Sequence, residues 1–271
     1  GAGGSGGAAS STDIWYGDRG VFGGVDVSNH TSDMSYIDIT TTGNASSFGG
    51  TTSGRMPYGG ISNGSRGVFS VWGGTNYNSD REYITIATTG NATSFGGLNY
   101  QYGCRGGISD GGRGVTTGSI AYGDGSSTSY GSNQANMEYF AIATSGSASS
   151  FGTLTTTRTT AGGCSNGTRG IISQAANNDS SGGYASNSQV IDYITIATTG
   201  NATTFGSYGG NKNRTTVLAN DTRAVLSGGY YGKYGLDPDV GMHYITIATT
   251  GNATSFGNDI DTNRWGALSG D

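Results

Sequence analysis

The sequence predicts an all-β repeat protein. It should be a five-bladed β-propeller of short four-stranded antiparallel sheets, closed by the C-terminal strand pairing into the first blade. Three observations predict it. The phrase Tyr-Ile-Thr-Ile-Ala-Thr-Thr-Gly-Asn-Ala-Thr-Ser-Phe-Gly, complete at residues 83–96, returns in variant form from Tyr36, Tyr139, Tyr193 and Tyr244. It closes on Phe48-Gly49, Phe95-Gly96, Phe151-Gly152, Phe205-Gly206 and Phe256-Gly257, in steps of 47, 56, 54 and 51 residues. A motif returning at that period marks a repeat architecture. Finally, no window carries a helical period, whereas Tyr-Ile-Thr-Ile alternates strictly, as a strand does.

The elements follow in chain order. Residues 1–12 are rich in Gly and Ser and begin Gly1-Ala2-Gly3-Gly4-Ser5-Gly6-Gly7. With neither a basic start nor an apolar segment they do not read as a signal peptide, and a flexible lead-in is expected. Residues 13–271 form the propeller domain, with repeats ending near Gly49, Gly96, Gly152, Gly206 and Gly257 and residues 258–271 as the closing strand.

Within a repeat the first strand is Gly59-Gly60-Ile61-Ser62 or its equivalent. Asn63-Gly64, Asp110-Gly111, Asn166-Gly167 and Asn220-Asp221 follow. Asn-Gly and Asp-Gly supply the positive φ angles of a type I′ hairpin turn. The next strand opens at Arg19, Arg66, Arg113, Arg169 or Arg223. Then comes a segment of variable length, the Tyr-Ile strand, a Thr-Thr-Gly-Asn-Ala turn, and a last strand starting at Phe-Gly. Alternation places Ile84 and Ile86 on a core face and Tyr83 and Thr85 on the other. A sheet this small cannot bury its own faces, so neighbouring sheets must cover one another, as in propellers and solenoids.

The tail favours a ring. Trp265-Gly266-Ala267-Leu268-Ser269-Gly270-Asp271 matches the first strand of a repeat, which the N-terminal repeat lacks. Ring closure also removes exposed sheet edges. The alternative is that Ile14-Trp15-Tyr16-Gly17 supplies that strand and the tail pairs with another copy, giving a head-to-tail filament by strand exchange.

Composition narrows the functional classes. The 53 glycines and 33% hydrophobic residues allow only a thin core, and a net charge of −5 is too small to enforce disorder. No run of 18 apolar residues is present, so no membrane insertion is expected. The acidic balance without any Lys/Arg cluster argues against nucleic acid. Cys164 falls in the Ile61 and Ile108 position and reads as a small buried hydrophobe, while Cys104 lies out of that frame, so a disulfide is not expected.

Repeated residues belong first to the scaffold. Arg19, Arg66, Arg113, Arg169 and Arg223 read as guanidiniums satisfying turn carbonyls once per blade, with Asp38, Glu82, Glu138 and Asp192 as acidic partners. Asn44, Asn91, Asn201 and Asn252 match the N-glycosylation pattern, but turn chemistry explains them better. The segments between the Arg and Tyr strands differ: they run 16 residues from Gly20 to Tyr36, 25 from Gly114 to Tyr139 and 23 from Gly170 to Tyr193. Insertions at one point of each repeat collect on one face of an array. These segments are rich in Tyr, Ser, Gly and Asn, the mixture of binding loops. Trp72, Tyr77, Tyr122, Tyr130, Tyr184, Tyr230, Tyr231 and Tyr234 are the candidate ligand contacts.

Catalysis finds little support. His30 and His243 stand in different repeats outside any nucleophile or zinc pattern. Asp237-Pro238-Asp239 and Asp259-Ile260-Asp261 read as solvated turns, and no metal or cofactor is expected.

Ile-Asp-Tyr-Ile-Thr-Ile-Ala-Thr-Thr-Gly-Asn-Ala-Thr at 191–203 and Thr-Arg-Gly-Ile-Ile at 168–172 resemble a kelch-like repeat of structural and tail-fibre-like proteins of aquatic bacteriophages. The resemblance covers nearly the whole chain from about residue 13. The chain departs from that pattern at Ser94-Phe95-Gly96-Gly97 and Ser255-Phe256-Gly257-Asn258, where Asp-Phe-Gly-Asp is the family's form. The resemblance implies a virion-associated role and supplies no catalytic residues to carry over; with the residue reading above, a non-enzymatic protein with a virion or extracellular location is expected. Partners would be other virion or filament proteins or a cell-surface glycan, with self-association through the C-terminal strand.

Overall fold

The structure, a computed structural model, describes residues 17–23, 32–52, 56–72, 80–99, 107–117, 134–158, 162–173, 176–178, 184–187, 189–209, 212–213, 215–228, 230–231, 237–238 and 240–258. The described residues form strands and turns and no helix. Five small antiparallel sheets are arranged as the blades of a β-propeller.

The first blade is β1 (Arg19–Gly23), β2 (Asp33–Asp38) and β3 (Ser46–Gly50), paired in that order. The second is β4 (Met56–Ser62), β5 (Arg66–Trp72), β6 (Asp80–Thr85) and β7 (Thr93–Gly97). The third is β8 (Gly107–Ser109), β9 (Arg113–Thr117), β10 (Gln134–Ala141) and β11 (Ser149–Arg158). In the fourth, β12 (Gly163–Ser165) and β13 (Arg169–Ile172) lead through a ribbon, β14 (Ala176–Asn178) and β15 (Tyr184–Asn187), to β16 (Val190–Thr195) and β17 (Thr203–Ser207). Before the fifth blade comes β18 (Lys212–Asn213). That blade holds β19 (Thr216–Ala219), β20 (Arg223–Ser227), β23 (Gly241–Thr246) and β24 (Thr254–Asn258). Between its second and third strands lie β21 (Tyr230–Tyr231) and β22 (Asp237–Pro238). Blades two to five pair their strands in chain order, and β18, β21 and β22 make a small sheet of their own.

The hydrophobic core lies between the blades. Met34 and Phe48 of the first blade pack with Phe69, Val71, Ile84 and Ala92 of the second. Ile61, Val68 and Phe95 of the second meet Phe140 and Ile142 of the third. Ile108, Val115, Met137, Phe151 and Leu154 meet Ile172, Ile194, Ile196 and Ala202 across the next seam. The fourth closes with Cys164, Ile171, Ile191, Phe205 and Tyr208 against Ala224, Leu226, Ile245 and Ile247. The middle strand therefore packs on both faces, and not on one as its alternation predicts. Ile84 turns to the preceding blade, while Tyr83 packs against the cluster shared with the following one.

The Phe-Gly pair makes this possible. Arg81 pairs with Gly96 and Glu82 with Ser94, which leaves Phe95 as the extra residue of a β-bulge; the same shift occurs in the other four blades. The bulge re-aims the phenyl ring into the seam, where Phe48, Phe95, Phe151 and Phe205 are buried. The glycine after it holds a positive φ, +147° at Gly49 and +132° at Gly96. A Cβ there would collide with the carbonyl of the next blade's turn, Gly90 or Gly146, so glycine serves both the dihedral and the close approach.

The hairpin turns differ from the type I′ expectation. Asn63 stands at the corner: its N–H donates to the Arg66 carbonyl at 3.2 Å, and Oδ1 accepts from Ser65 and Arg66 N–H. Gly64, at φ +81°, becomes the first central residue, the position glycine takes in a type II′ turn. The Asn side chain is spent on capping the turn, which shifts the pair by one position.

The lead-in 1–12, the Ile14-Trp15-Tyr16 segment and the closing strand expected in 259–271 lie outside the described residues.

Candidate functional site

Antiparallel pairing sorts the connections to two ends of the propeller. At one end lie the tight hairpin turns near Asn63, Asp110, Asn166 and Asn220 and the Thr-Thr-Gly-Asn-Ala turns. At the other lie the blade-to-blade connections and the variable segments, which join β1 to β2, β5 to β6, β9 to β10, β13 to β16 and β20 to β23. The segments that vary in length thus share one rim.

Of the candidate contact residues, the structure places four by their backbone. Trp72 ends β5 opposite Met56, and Tyr184 stands in the ribbon opposite Asn178. Tyr230 pairs with Asn213 and Pro238, and Tyr231 with Lys212 and Asp237. Tyr77, Tyr122, Tyr130 and Tyr234 lie outside the described residues, as do His30, Cys104, Asp239 and Asp259-Ile260-Asp261.

A residue that sequence reading missed ties the Tyr184 ribbon down. β11 extends to Arg158, whose side chain is fully buried, and the ribbon lies against that strand. The Arg158 guanidinium donates to the carbonyl of Ser173, where the ribbon segment begins, at 3.1 Å. It also donates to that of Val190, where it ends, at 2.8 Å. One cation from the third blade holds both legs of the fourth blade's insertion. Asp192, also fully buried, sits 2.5 Å from Arg158 Nη2 and accepts from Thr155 N–H at 3.0 Å and its hydroxyl at 2.7 Å. Burial pushes the Arg158 pKa below its ordinary value, and the Asp192 charge opposes that shift. A buried pair of this kind is costly to break from one side.

The acidic residues do not serve the repeat arginines as expected. Glu82 accepts from Thr52 N–H and hydroxyl at 2.9 and 2.5 Å, and Glu138 from Asn99 N–H at 3.1 Å and its amide nitrogen. Each therefore anchors the segment leaving the preceding blade, as Asp192 does. Asp38 alone lies opposite a repeat arginine, Arg19. Its carboxyl is held below the usual range first by the Thr40 hydroxyl and then by Thr40 N–H, with Arg19 adding its charge.

The repeat arginines stack on tyrosine instead. Arg19, Arg66, Arg113, Arg169 and Arg223 lie 4.1–4.4 Å over Tyr36, Tyr83, Tyr139, Tyr193 and Tyr244. Each tyrosine meets its own blade's Phe edge-on at 6.0–6.1 Å. The first four arginines then donate to a carbonyl of the next blade: Ile86 at 3.0 Å, Ile142 at 3.4 Å, Ile196 at 3.0 Å and Ile247 at 2.6 Å. Asn91, Asn201 and Asn252 are seam acceptors too, each taking 3.0 Å bonds from Gly50, Thr153 and Ser207 N–H.

A crevice of about 260 Å³ opens beside Phe151, Tyr193, Thr198 and Asn201. All four belong to the repeated frame, so this is a gap in the seam. Among the described residues no three His, Cys, Asp or Glu side chains gather in a metal-binding cluster. The His243 ring lies against Tyr208, centroids 4.5 Å apart and planes tilted by 46°. Cys164 is buried without a disulfide, and burial pushes its thiol up to about 12.

No protein-family model matches the chain, and no curated protein matches it at a significant level.

Proposed function

We propose that this protein is a non-enzymatic structural and adhesion module of a virus particle or extracellular assembly, such as a phage tail-fibre or decoration protein. It holds a cell-surface glycan or another virion protein with the Tyr-, Ser- and Gly-rich segments of its rim. The observation that carries the reading is the division of labour between the two ends. Every length-variable segment emerges at one rim, while at the internal seams the repeated Arg, Asn and acidic side chains bond from blade to blade. Tyrosine brings rigid amphipathic contact area, and its ring face suits stacking on a sugar. The Arg158 tie beneath the Tyr184 ribbon supports the reading, because a binding segment gains affinity when it is held in place beforehand. The resemblance to kelch-like phage repeats supplies the virion setting.

Glycan-array binding tests this. The protein should bind a restricted set of glycans. Replacing Trp72, Tyr77, Tyr122, Tyr130, Tyr184, Tyr230, Tyr231 and Tyr234 by Ala should abolish binding without changing the far-ultraviolet circular dichroism. Binding that survives all eight replacements would overturn the rim as the contact surface.

A further inference from the structure

The described residues contain three exposed large hydrophobic side chains: Phe22, Ile39 and Phe256, at 38%, 48% and 48%. All three belong to the first or the fifth blade, and each has buried equivalents elsewhere. Phe69, Ile172 and Leu226 take the Phe22 position and are buried; Ile142, Ile196 and Ile247 take that of Ile39 and are fully buried. Phe256 is the exposed member of a set whose other four are 2–3% exposed.

The polar contacts are missing in the same places. In each internal seam the turn glycine donates to the Phe carbonyl of the preceding blade: Gly90 to Phe48, Gly146 to Phe95, Gly200 to Phe151 and Gly251 to Phe205, at 2.7–2.9 Å. Two residues on, Ala92, Ala148, Ala202 and Ala253 donate to Gly50, Gly97, Thr153 and Ser207 at 2.8–2.9 Å. Among the described residues nothing occupies the corresponding place beside Phe256 and Asn258. A Cβ added at Gly257 meets no atom within 4 Å, whereas one at Gly49, Gly96, Gly152 or Gly206 collides with the next turn. Arg223 stacks on Tyr244 but, unlike its four equivalents, reaches no carbonyl of a following blade among the described residues. At the other end of the array Ala45 is exposed, where Ala92, Ala148 and Ala202 are buried.

These are the two halves of one seam, and among the described residues both are open. We propose that the fifth blade docks the first blade of a second copy of this chain, so that copies join head to tail by the contacts the internal seams use. Gly43 N–H then donates to the Phe256 carbonyl, Ala45 N–H to that of Asn258, Asn44 Oδ1 accepts from Asn258 N–H, and Arg223 reaches the Ile39 carbonyl. The occupant follows from complementarity: Thr-Thr-Gly-Asn-Ala at 41–45 is the sequence that fills the seams beneath Gly49 and Gly152, and the matching Phe-Gly stands at 256–257. Such an interface is heterologous, so it builds a ring of copies or an open filament. It uses residues no later than Asn258 and needs no exchanged strand.

The test pairs two variants of the full chain. Ile39→Asp disables the first-blade face and Arg223→Glu the fifth-blade face. Both residues are exposed, so both variants should keep the wild-type circular dichroism. Sedimentation velocity of the wild type should show a mass that rises with concentration, each variant alone should stay monomeric, and an equimolar mixture should stop at the dimer. Phe256→Asp replaces Arg223→Glu should that variant misfold, and predicts the same dimer with Ile39→Asp. A wild type that stays monomeric at every concentration would overturn the proposal in favour of closure on its own first blade. Variants that each still assemble alone would overturn the assignment of the faces. Loss of glycan binding by the rim variant leaves this outcome untouched, so the two readings fail separately.

Discussion

The seam between the fourth and fifth blades and the face left open on the fifth blade are written in the same residues, yet they differ in state. Phe205 is 3% exposed and Phe256 48%. Arg169 donates to Ile247 at 2.6 Å, while among the described residues the Arg223 guanidinium meets the Tyr244 ring and no carbonyl of a following blade. Both blades carry the Arg–Tyr–Phe stack, with 4.4 Å from guanidinium to ring and 6.0–6.1 Å between rings. The stack is therefore a property of one blade. Burial of the phenylalanine is a property of two. A repeat carries its half of the contact whether or not a neighbour arrives, as in quasi-one-dimensional arrays whose stability sums blade and interface terms.

Substitutions should expose that split. The charge pair in the seam between the third and fourth blades should give an effect as large as any. Asp192→Ala leaves Arg158 buried and unpaired and should cost about 3–5 kcal/mol in chemical denaturation. Adding Arg158→Met should restore much of that loss, because an apolar side chain of similar reach replaces an orphaned charge. No restoration would mean that the hydrogen bonds to Ser173 and Val190 matter more than the charge.

Next come the phenylalanines. Phe205→Ala should cost about 3–5 kcal/mol, the range for a buried aromatic. Phe256→Ala in the dilute monomer should cost about 1 kcal/mol, the worth of an edge-to-face contact without full burial. Equal losses would show that the fifth blade is covered in solution. The arginines give a smaller version of the same contrast. Arg169→Ala should cost about 2 kcal/mol, losing both the ring contact and the charged hydrogen bond, and Arg223→Ala about 0.5–1 kcal/mol.

The smallest perturbation is chemical. Burial pushes the Cys164 thiol up to about 12, so at pH 8 it is protonated as well as enclosed. Alkylation at Cys164, followed by peptide mass, should be slow in native buffer and accelerate with denaturant as the seam unfolds. Rapid labelling in native buffer would mean that this seam opens locally.

The frame of this fold was legible because it repeats. Tyr83, Ile84, Phe95 and Arg66 recur with their spacing, and period-two alternation located the strands before any contact was known. Contacts that cross from one blade to the next were not legible. Glu82, Glu138 and Asp192 directly precede the repeat tyrosines Tyr83, Tyr139 and Tyr193 in the sequence, but their partners Thr52, Asn99 and Thr155 lie one blade earlier. Arg158 does not repeat, so the frame gave no reason to weigh it. Its one signal was a lone cation in the Thr-rich run 155–159. The Phe-Gly glycine was visible, but its reason was not, since the colliding carbonyl belongs to another repeat. Of the rim, the sequence showed which segments vary and which carry tyrosine. Why Tyr184 is held rested on Arg158, a residue of another blade.

Amide hydrogen exchange in the dilute, monomeric protein distinguishes an open first-blade face from one covered by the fifth blade of the same chain. Gly90, Gly146, Gly200 and Gly251 N–H groups lie in seams, and Gly43 N–H occupies the same place in the first blade without a seam partner among the described residues. Strong protection is expected at the four and exchange near the unprotected rate at Gly43. Protection of Gly43 equal to the other four, in a monomer, would contradict that expectation and show the propeller closed upon itself.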